Sequence, residues 1–474
     1  MSRKFLVRTF GCQMNEHDSE RIAGVLVADG MEPAPDIESA DVVVLNTCCI
    51  RENADNKLYG QLGQLKALRR RNPDLQIAVG GCLAQKDREE IRARAGHVDV
   101  VFGTFNVGRA AELLRRARED GPQVEVLDAA PDDDLAAYPS ALPVRRELGH
   151  AAWVTIQVGC DNSCAFCIVP RVRGREVSRP FAELVTEVSE LAARGAVEVT
   201  LLGQNVNSYG RDLTTGLRAS PLPSALAAAS AGPVWVAEPG RRPRPLFGDL
   251  LRAVGAVEGI RRVRFTSPHP KDLRPETIAA MAETPEVCEQ LHLPLQSGSN
   301  RVLAAMRRGY TAERYLERLA AARAGIDDLA VSTDLIVGFP GETEEDFEAT
   351  LEVVAEAAYD SAYTFQFSPR PGTRAAAMTD SLVPPEVVAE RFARLAVVVE
   401  RSALARHRAR VGRVEEVMVE GPSRRDPGTV AARTRQHKLV HVPDAGRTPG
   451  ELLPVRVTGA GAHHLRGEPV APAA

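Results

Sequence analysis

A short apolar stretch, Trp153–Val158, runs directly into Gly159-Cys160-Asp161-Asn162-Ser163-Cys164-Ala165-Phe166-Cys167. The C-x3-C-x2-C spacing restricts this chain more than any other feature, because it puts three thiols on one tight loop behind a strand. Three close cysteines can hold three irons of a cubane cluster and leave the fourth open to a small molecule. The same spacing suits a zinc site short of one ligand, or three structural cysteines. Further short apolar runs follow at Val197–Leu202, Val263–Thr266, Glu289–Pro294, Ser332–Val337 and Tyr363–Phe367, with helical stretches between them. About six strands in that alternation predict an incomplete, TIM-like β/α barrel. The cysteine loop then stands at the C-terminal end of its first strand, where such barrels place their chemistry.

Eight cysteines in all sit in a chain of 474 residues with 59 basic and 63 acidic side chains. Met1 to Phe10 carries charges and no apolar core of a secretory signal, and no apolar run approaches the roughly 18 residues of a membrane helix. The expectation is a cytoplasmic protein, in which cysteines bind metal or catalyse more often than they form disulfides. The net charge of −4 advertises no global attraction to nucleic acid, so any such partner must be read from a local patch.

The first 118 residues alternate strands (Phe5–Phe10, Val42–Asn46, Ile77–Val79, Val98–Phe102) with helices (Ser19–Asp29, Asn56–Arg71, Asp87–Ala95), which predicts an open parallel α/β sheet. Cys12, Cys48 and Cys82 each stand where a strand hands over to a loop, and those ends share one sheet edge, so residues far apart in sequence can converge there. Buried core cysteines are the competing reading, and the one adopted for Cys49 and Cys288. A Pro- and Asp-rich stretch, Ala129–Leu142, reads as a linker, and 212–245, rich in Ala, Pro, Ser and Gly, as a flexible insertion. Beyond Pro384 a long helix leads into short alternating strands at Glu416–Val419, Thr429–Ala432, Lys438–Val442 and Pro454–Val457, a small all-β module. Between Arg401 and Lys438 there are ten Arg or Lys residues and four acids, which suits an RNA clamp or a charged surface without a partner. Few aromatics accompany them, which favours backbone contacts over base stacking.

C-x3-C-x-F-C behind a first barrel strand resembles the signature of radical S-adenosylmethionine (SAM) enzymes. Val169-Pro170-Arg171-Val172-Arg173-Gly174-Arg175-Glu176-Val177-Ser178-Arg179 resembles the methylthiotransferases within that superfamily, as do Leu201–Tyr209, Leu293–Ser299 and Asp334–Thr343. Gly11-Cys12-Gln13-Met14-Asn15, Asn46-Thr47-Cys48 and Gly81-Cys82 match the family's N-terminal domain. Cys48-Cys49-Ile50-Arg51-Glu52-Asn53-Ala54 points to its tRNA branch. Val419–Ser423 and Ala432-Arg433-Thr434 resemble the TRAM domain, an RNA-binding barrel. The likeness covers nearly the whole chain outside 212–245 and the last few residues.

The resemblance implies an N-terminal domain over 1–118 whose Cys12, Cys48 and Cys82 hold a second 4Fe–4S cluster. A linker over 119–145, a radical SAM core over 146–380, and a connecting helix with TRAM barrel over 381–470 follow. Cys160, Cys164 and Cys167 hold the first 4Fe–4S cluster. SAM chelates its open iron, and the Gly338-Phe339-Pro340-Gly341 turn lets the backbone approach it through Gly338 and Gly341, although such a glycine pair serves equally as a strand-to-helix turn. Arg171, Arg173 and Arg175 meet a carboxylate or RNA phosphates, or form a solvated face. The activity implied is methylthiolation of carbon 2 of an isopentenylated adenosine beside the anticodon of tRNA. It consumes two SAM, one as radical source and one as methyl donor, and draws on an electron donor such as flavodoxin or ferredoxin. The chain is expected to be a monomer with no membrane partner. Threonylcarbamoyl-adenosine in tRNA, an aspartate of ribosomal protein S12, and a non-catalytic RNA-binding iron–sulfur protein are the alternatives.

Overall fold

The computed structural model describes residues 2–49, 52–127, 142–146, 148–214, 244–423 and 426–470. Nearly all of the proposed insertion, most of the Ala129–Leu142 stretch, Ile50-Arg51 and Arg424-Arg425 lie outside the described residues.

Six parallel strands make the first sheet. Lys4–Phe10 (β1), Glu32–Pro33 (β2), Val42–Thr47 (β3), Gln76–Gly80 (β4), Val100–Phe102 (β5) and Gln123–Glu125 (β6) lie in the order β2-β1-β3-β4-β5-β6. Every residue of β3 is buried, as a Val-Val-Val-Leu run covered on both faces requires. The intervening helices are Gln13–Ala28 (α1), Glu52–Arg71 (α2), Cys82–Asp87 (α3), Glu89–Arg94 (α4) and Ala110–Glu119 (α5). Leu45, Ile77 and Val79 form one apolar layer with Leu58 and Leu62 of α2, while Val42, Val44 and Ala78 face Ile22 and Leu26 of α1. The placing of all of 119–145 in a linker needs correction: β6 belongs to the sheet, and three half-buried residues are too few to announce a strand.

The second α/β series also runs parallel. Ala151–Thr155 (β7) leads to a two-stranded ribbon, Gln157–Val158 (β8) with Val177–Ser178 (β9), which flanks the cysteine loop and Val169–Arg173 (α6). Glu198–Leu202 (β10) and Arg262–Phe265 (β11) complete a sheet ordered β11-β10-β7, while Gln290–His292 (β12), Ala330–Val337 (β13) and Ser361–Gln366 (β14) form a sheet in that order. A parallel bridge pairs Val263 of β11 with Val287, three residues before β12. This is the open six-stranded β/α barrel that the sequence predicts, without the strands of a full barrel. Its helices are Phe181–Ala193 (α7), Phe247–Gly255 (α8), Pro275–Glu283 (α9), Asn300–Ala305 (α10), Ala312–Gly325 (α11) and Glu344–Ala357 (α12).

Pro385–Arg408 (α13) leads to a closed barrel of Val414–Pro422 (β15), Thr429–Thr434 (β16), Leu439–Pro443 (β17), Leu452–Ala460 (β18) and Leu465–Pro469 (β19), ordered β15-β16-β17-β19-β18. The last strand carries no apolar alternation, and its Gly467 lets Val455 of β18 pack where a Cβ would stand 2.3 Å away. Buried arginines of β11 pin this small barrel. Arg262 donates to the carbonyls of Arg433 and Glu416 at 2.9 and 3.0 Å, and Arg264 to those of Arg435 and Thr434 at 2.7 and 2.9 Å. No described helix is long and apolar enough to cross a membrane.

Internal packing divides the chain into two compact units. One comprises 1–147, 157–162 and 167–177; the other comprises 148–156, 163–166 and 178–474. Cys160 and Cys167 thus belong to the same unit as the N-terminal sheet, and Cys164 to the unit of the barrel strands.

Candidate cysteine centres

Strand register alone carries Cys12, Cys48 and Cys82 to one edge. β1, β3 and β4 are neighbours, with Phe10 opposite Thr47 and Asn46 opposite Gly80, so each cysteine follows the end of one of three adjacent strands. Glycine permits the close approach. A Cβ on Gly11 would stand 2.8 Å from the Cys48 Cβ, and Gly81, at φ +91°, leaves only 2.2 Å to the Asn46 Oδ1. Two buried asparagines set the spacing. Asn46 Nδ2 donates to the Asn15 carbonyl at 2.7 Å and to the Ser19 hydroxyl at 2.9 Å. The Asn15 Oδ1 accepts from the Cys12 thiol at 3.5 Å, and its Nδ2 stands 4.0 Å from the Cys82 sulfur. The local sequence marks neither asparagine for a role, although both lie inside the matching motifs.

The electrostatics favour the thiolate at Cys12 and Cys82. A hydrogen bond from the Cys48 side chain pulls Cys12 down to about 6, against burial and with help from Arg173 and the backbone amides of Asn15 and Met14. Cys49 hydrogen-bonds Cys82, which pushes Cys49 well above the ordinary thiol value and lowers Cys82. Cys49 is therefore buried, as expected, but it is also a fourth thiol beside the three. Cys288 is buried in the second unit, its thiol raised by burial.

Arg173 ends α6, whose Val172 packs in the same apolar layer as Cys82 and Leu83. Its guanidinium donates to Asp18 at 2.6 Å, with side-chain exposures of 4% and 2%. Asp18 also meets Arg21 at 3.5 Å. Of the three arginines flagged by sequence, Arg173 thus has a carboxylate partner. Arg175 is 91% exposed, with Asp161 at 3.9 Å, and Arg171 lies at the surface.

The central loop is pinned piece by piece. Gly159, at φ +77°, would put a Cβ 1.9 Å from the Arg175 carbonyl, and the Cys160 N–H donates to the Gly174 carbonyl at 3.2 Å. Within the second unit, the Ala165 N–H donates to the Met306 carbonyl and the Ala165 carbonyl accepts from the Ala375 N–H, both at 2.9 Å, while Phe166 packs on a cluster containing Phe339. Arg308 points Nη1 at the Cys164 sulfur at 3.4 Å, with its Nε on the Tyr310 hydroxyl at 3.0 Å and its Nη2 on the Pro294 carbonyl at 3.2 Å. Nothing in the local sequence marks that arginine, because its partner is 144 residues away.

Gly338 and Gly341 both have positive φ, and both amides are already taken, Gly338 by the Glu342 carboxylate of the same turn at 2.8 Å and Gly341 by the Ser381 carbonyl of a later segment at 2.6 Å. The close approach at Gly338 is to Val388 of α13, 2.5 Å from an added Cβ. Other polar atoms near the strand ends do lack partners. Asn205 Oδ1, three residues beyond β10, and His269 Nε2, four beyond β11, are buried with no hydrogen-bond partner among the described residues. Burial, reinforced by the Arg308, Lys271 and Arg318 cations, pushes His269 down to about 2, so its ring is neutral.

In the basic module, much of the charge is spent internally. Arg433 pairs with Glu420, Arg435 with Glu289, Lys438 with Asp360, and Arg410 and Arg413 with Asp328. Arg408 is exposed. Among the described residues no three His, Cys, Asp or Glu side chains surround a single ion position. The ligands of a cubane stand around a four-iron core, farther apart than those of one ion.

Residues 4–103 match the model described as "Uncharacterized protein family UPF0004", 154–354 the Radical SAM superfamily, and 408–470 the TRAM domain. The chain is 52% identical over 472 residues to the tRNA-2-methylthio-N(6)-dimethylallyladenosine synthase of Acidothermus cellulolyticus, covering 99% of this chain and 88% of that one. It is 50% identical to the protein of the same name from Mycobacterium sp. (strain JLS), covering 98% and 89%. The solved radical S-adenosylmethionine methyltransferase TsrM of Kitasatospora setae shares the fold, with a TM-score of 0.51 at 15% identity over 79% of this chain and 75% of that one.

Proposed function

Because the chain belongs to the family of tRNA-2-methylthio-N(6)-dimethylallyladenosine synthases, we propose that it transfers a methylthio group to carbon 2 of N6-isopentenyladenosine beside the anticodon of tRNA. SAM and a 4Fe–4S cluster come with the radical SAM family, and tRNA binding with the TRAM domain. An aromatic carbon–hydrogen bond offers neither an acidic proton nor an electrophilic handle, so acid–base side chains do not suffice and the cofactors carry the hard chemistry. When bound, one cluster with SAM supplies the radical, and a second cluster with a second SAM supplies the methylated sulfur.

This chain's residues hold and tune those groups. Cys160, Cys164 and Cys167 would ligate the first cluster, with Arg308 offering positive charge to the Cys164 sulfur. Cys12, Cys48 and Cys82 would ligate the second. Three soft thiolates fit such a cluster, and the buried Arg173 offsets part of their negative charge. Asn205 Oδ1 and the neutral His269 ring are orphaned polar atoms suited to SAM or substrate. Gly338 and Gly341 shape the turn at the end of β13. A flavodoxin- or ferredoxin-like protein would deliver the electron, and the enzyme would act as a cytoplasmic monomer.

The observation that carries this reading is the arrival of Cys12, Cys48 and Cys82 at adjacent strand ends, since SAM cleavage alone would need one thiol triad. Mass spectrometry of tRNA nucleosides from a strain lacking the gene tests it. The 2-methylthio derivative should vanish while N6-isopentenyladenosine accumulates. An unchanged profile, or loss of a methylthio mark from threonylcarbamoyl-adenosine instead, would overturn the substrate.

A further inference from the structure

Within the second unit, the C-terminal ends of α11 and α13 border a cavity of about 280 Å³ lined by Arg323, Arg406, Arg410, Arg413, Asp328 and Asp360 among others. Its two carboxylates are already engaged. Asp328 takes Arg410 and Arg413 at 2.9 Å each, with Gln436 donating as well, and Asp360 takes Lys438 at 2.6 Å. Arg323 and Arg406 differ from their neighbours. Both guanidiniums converge on one carbonyl, that of Ala358, from Arg323 Nη2 at 3.1 Å and Arg406 Nε at 3.0 Å, and neither has an ion pair among the described residues. The Arg323 Nε is buried without a partner among the described residues. Burial and then the neighbouring Arg406 cation depress the Arg323 pKa, with Asp360 opposing them, so two like charges sit together with no carboxylate in ion-pair contact among the described residues.

We propose that this cavity is a phosphate-binding site, with Arg323 and Arg406 as the pair that holds the anion. Planar guanidinium forks match phosphate oxygens, and an oxyanion relieves the repulsion between the two cations. The cavity lies where α13 enters the TRAM barrel, so the phosphate that suits it is one from the tRNA backbone. That choice of source rests on the reading above; the anion site itself does not.

The test compares the full-length holoenzyme with R323Q/R406Q and with the charge-preserving R323K/R406K. Inorganic phosphate, at constant ionic strength, should raise the melting temperature of the wild type and of the lysine variant but not of the glutamine variant. For tRNA, the glutamine variant should bind about tenfold more weakly, and its slope of log affinity against log salt should fall by about one unit. Reductive formation of 5′-deoxyadenosine should not change, which separates this site from the SAM centre. A lost phosphate response with an unchanged tRNA slope keeps the site and makes free phosphate its occupant. If the wild type bound no tRNA, the functional reading would fail while the phosphate response still judged the cavity. No phosphate response in the wild type together with an unaltered tRNA slope in the variant overturns the proposal. Should the double glutamine variant not fold, R406Q alone is read the same way.

Discussion

The two thiol triads are built in opposite ways. Cys160, Cys164 and Cys167 are brought together by sequence, on one loop, and two of them are partly exposed. Cys12, Cys48 and Cys82 are brought together by the fold, and Cys48 and Cys82 are buried among cross-strand asparagines and a buried ion pair. A loop triad can keep its spacing when its surroundings shift. A triad assembled from three strands depends on the register of the sheet and on the groups that hold its edge. The first should therefore tolerate remote changes better than the second, and the second should be easier to lose selectively.

The largest effect comes from removing the triads themselves. Replacing Cys12, Cys48 and Cys82 together by Ala should abolish the methylthio product while 5′-deoxyadenosine still forms with dithionite and SAM under anaerobic conditions. Replacing Cys160, Cys164 and Cys167 by Ala should abolish both. Chromatography of nucleosides and SAM fragments reads both outcomes, and iron per chain should fall to about half in each variant. The sequence alone suggests independent centres in separate domains. The structure makes this a sharper test, because Cys160 and Cys167 belong to the compact unit that carries the other triad. If the first variant also lost SAM cleavage, the contrast between the centres would collapse.

Next comes the ion pair under the fold-built triad. R173M leaves Asp18 buried with Arg21, at 3.5 Å, as its remaining ion-pair partner among the described residues, and breaking such a buried pair costs about 3–5 kcal/mol. Chemical denaturation followed by circular dichroism should show the loss, and the second centre should load less iron. The Cys164 end of the loop, held by Arg308 in the other unit, should keep SAM cleavage measurable. Equal loss at both centres would contradict the comparison.

How far the sequence reaches follows from the same contrast. The loop triad is legible because its spacing is local. The strand-end triad is legible because apolar runs announce β1, β3 and β4, and each cysteine follows one of them. What holds those cysteines is not legible: Arg173 meets Asp18 across 155 residues, and Arg308 meets Cys164 across 144. Composition points to the RNA partner of the C-terminal module, in agreement with the TRAM match, but not to the cations left free to meet it. Its basic excess reads as an RNA face, yet Arg433, Arg435 and Lys438 each meet a carboxylate. β19 escapes notice because Leu-Arg-Gly-Glu-Pro has no strand alternation and takes its place from the barrel's closure.

A smaller effect tests the loop-built side. G159A forces φ +77° on a residue with a Cβ and drives that atom to 1.9 Å from the Arg175 carbonyl, so it should destabilise the loop by at least about 1–3 kcal/mol. SAM cleavage should fall, while the iron held by Cys12, Cys48 and Cys82 should remain. Retained cleavage would mean that the loop tolerates a shifted start, and that its spacing rather than its anchoring is what matters.

The smallest effect probes the fourth thiol. Cys49 is fully buried and hydrogen-bonded to Cys82, with its own proton held firmly and the Cys82 thiol lowered. In C49A the sheet keeps its register and the three thiols keep their places, so folding should weaken by only about 1 kcal/mol, for one weak hydrogen bond and a small void. Hydrogen bonds to cluster sulfurs raise reduction potentials, so the second centre should become harder to reduce in an anaerobic redox titration. The first centre should titrate as in the wild type, because the groups that act electrostatically on Cys49 are Cys82, Cys48 and Lys86. A shift at both centres would show that the two share more than a compact unit. No shift at either would leave Cys49 a packing residue and assign the tuning of Cys82 to Asn15 and Arg173 alone.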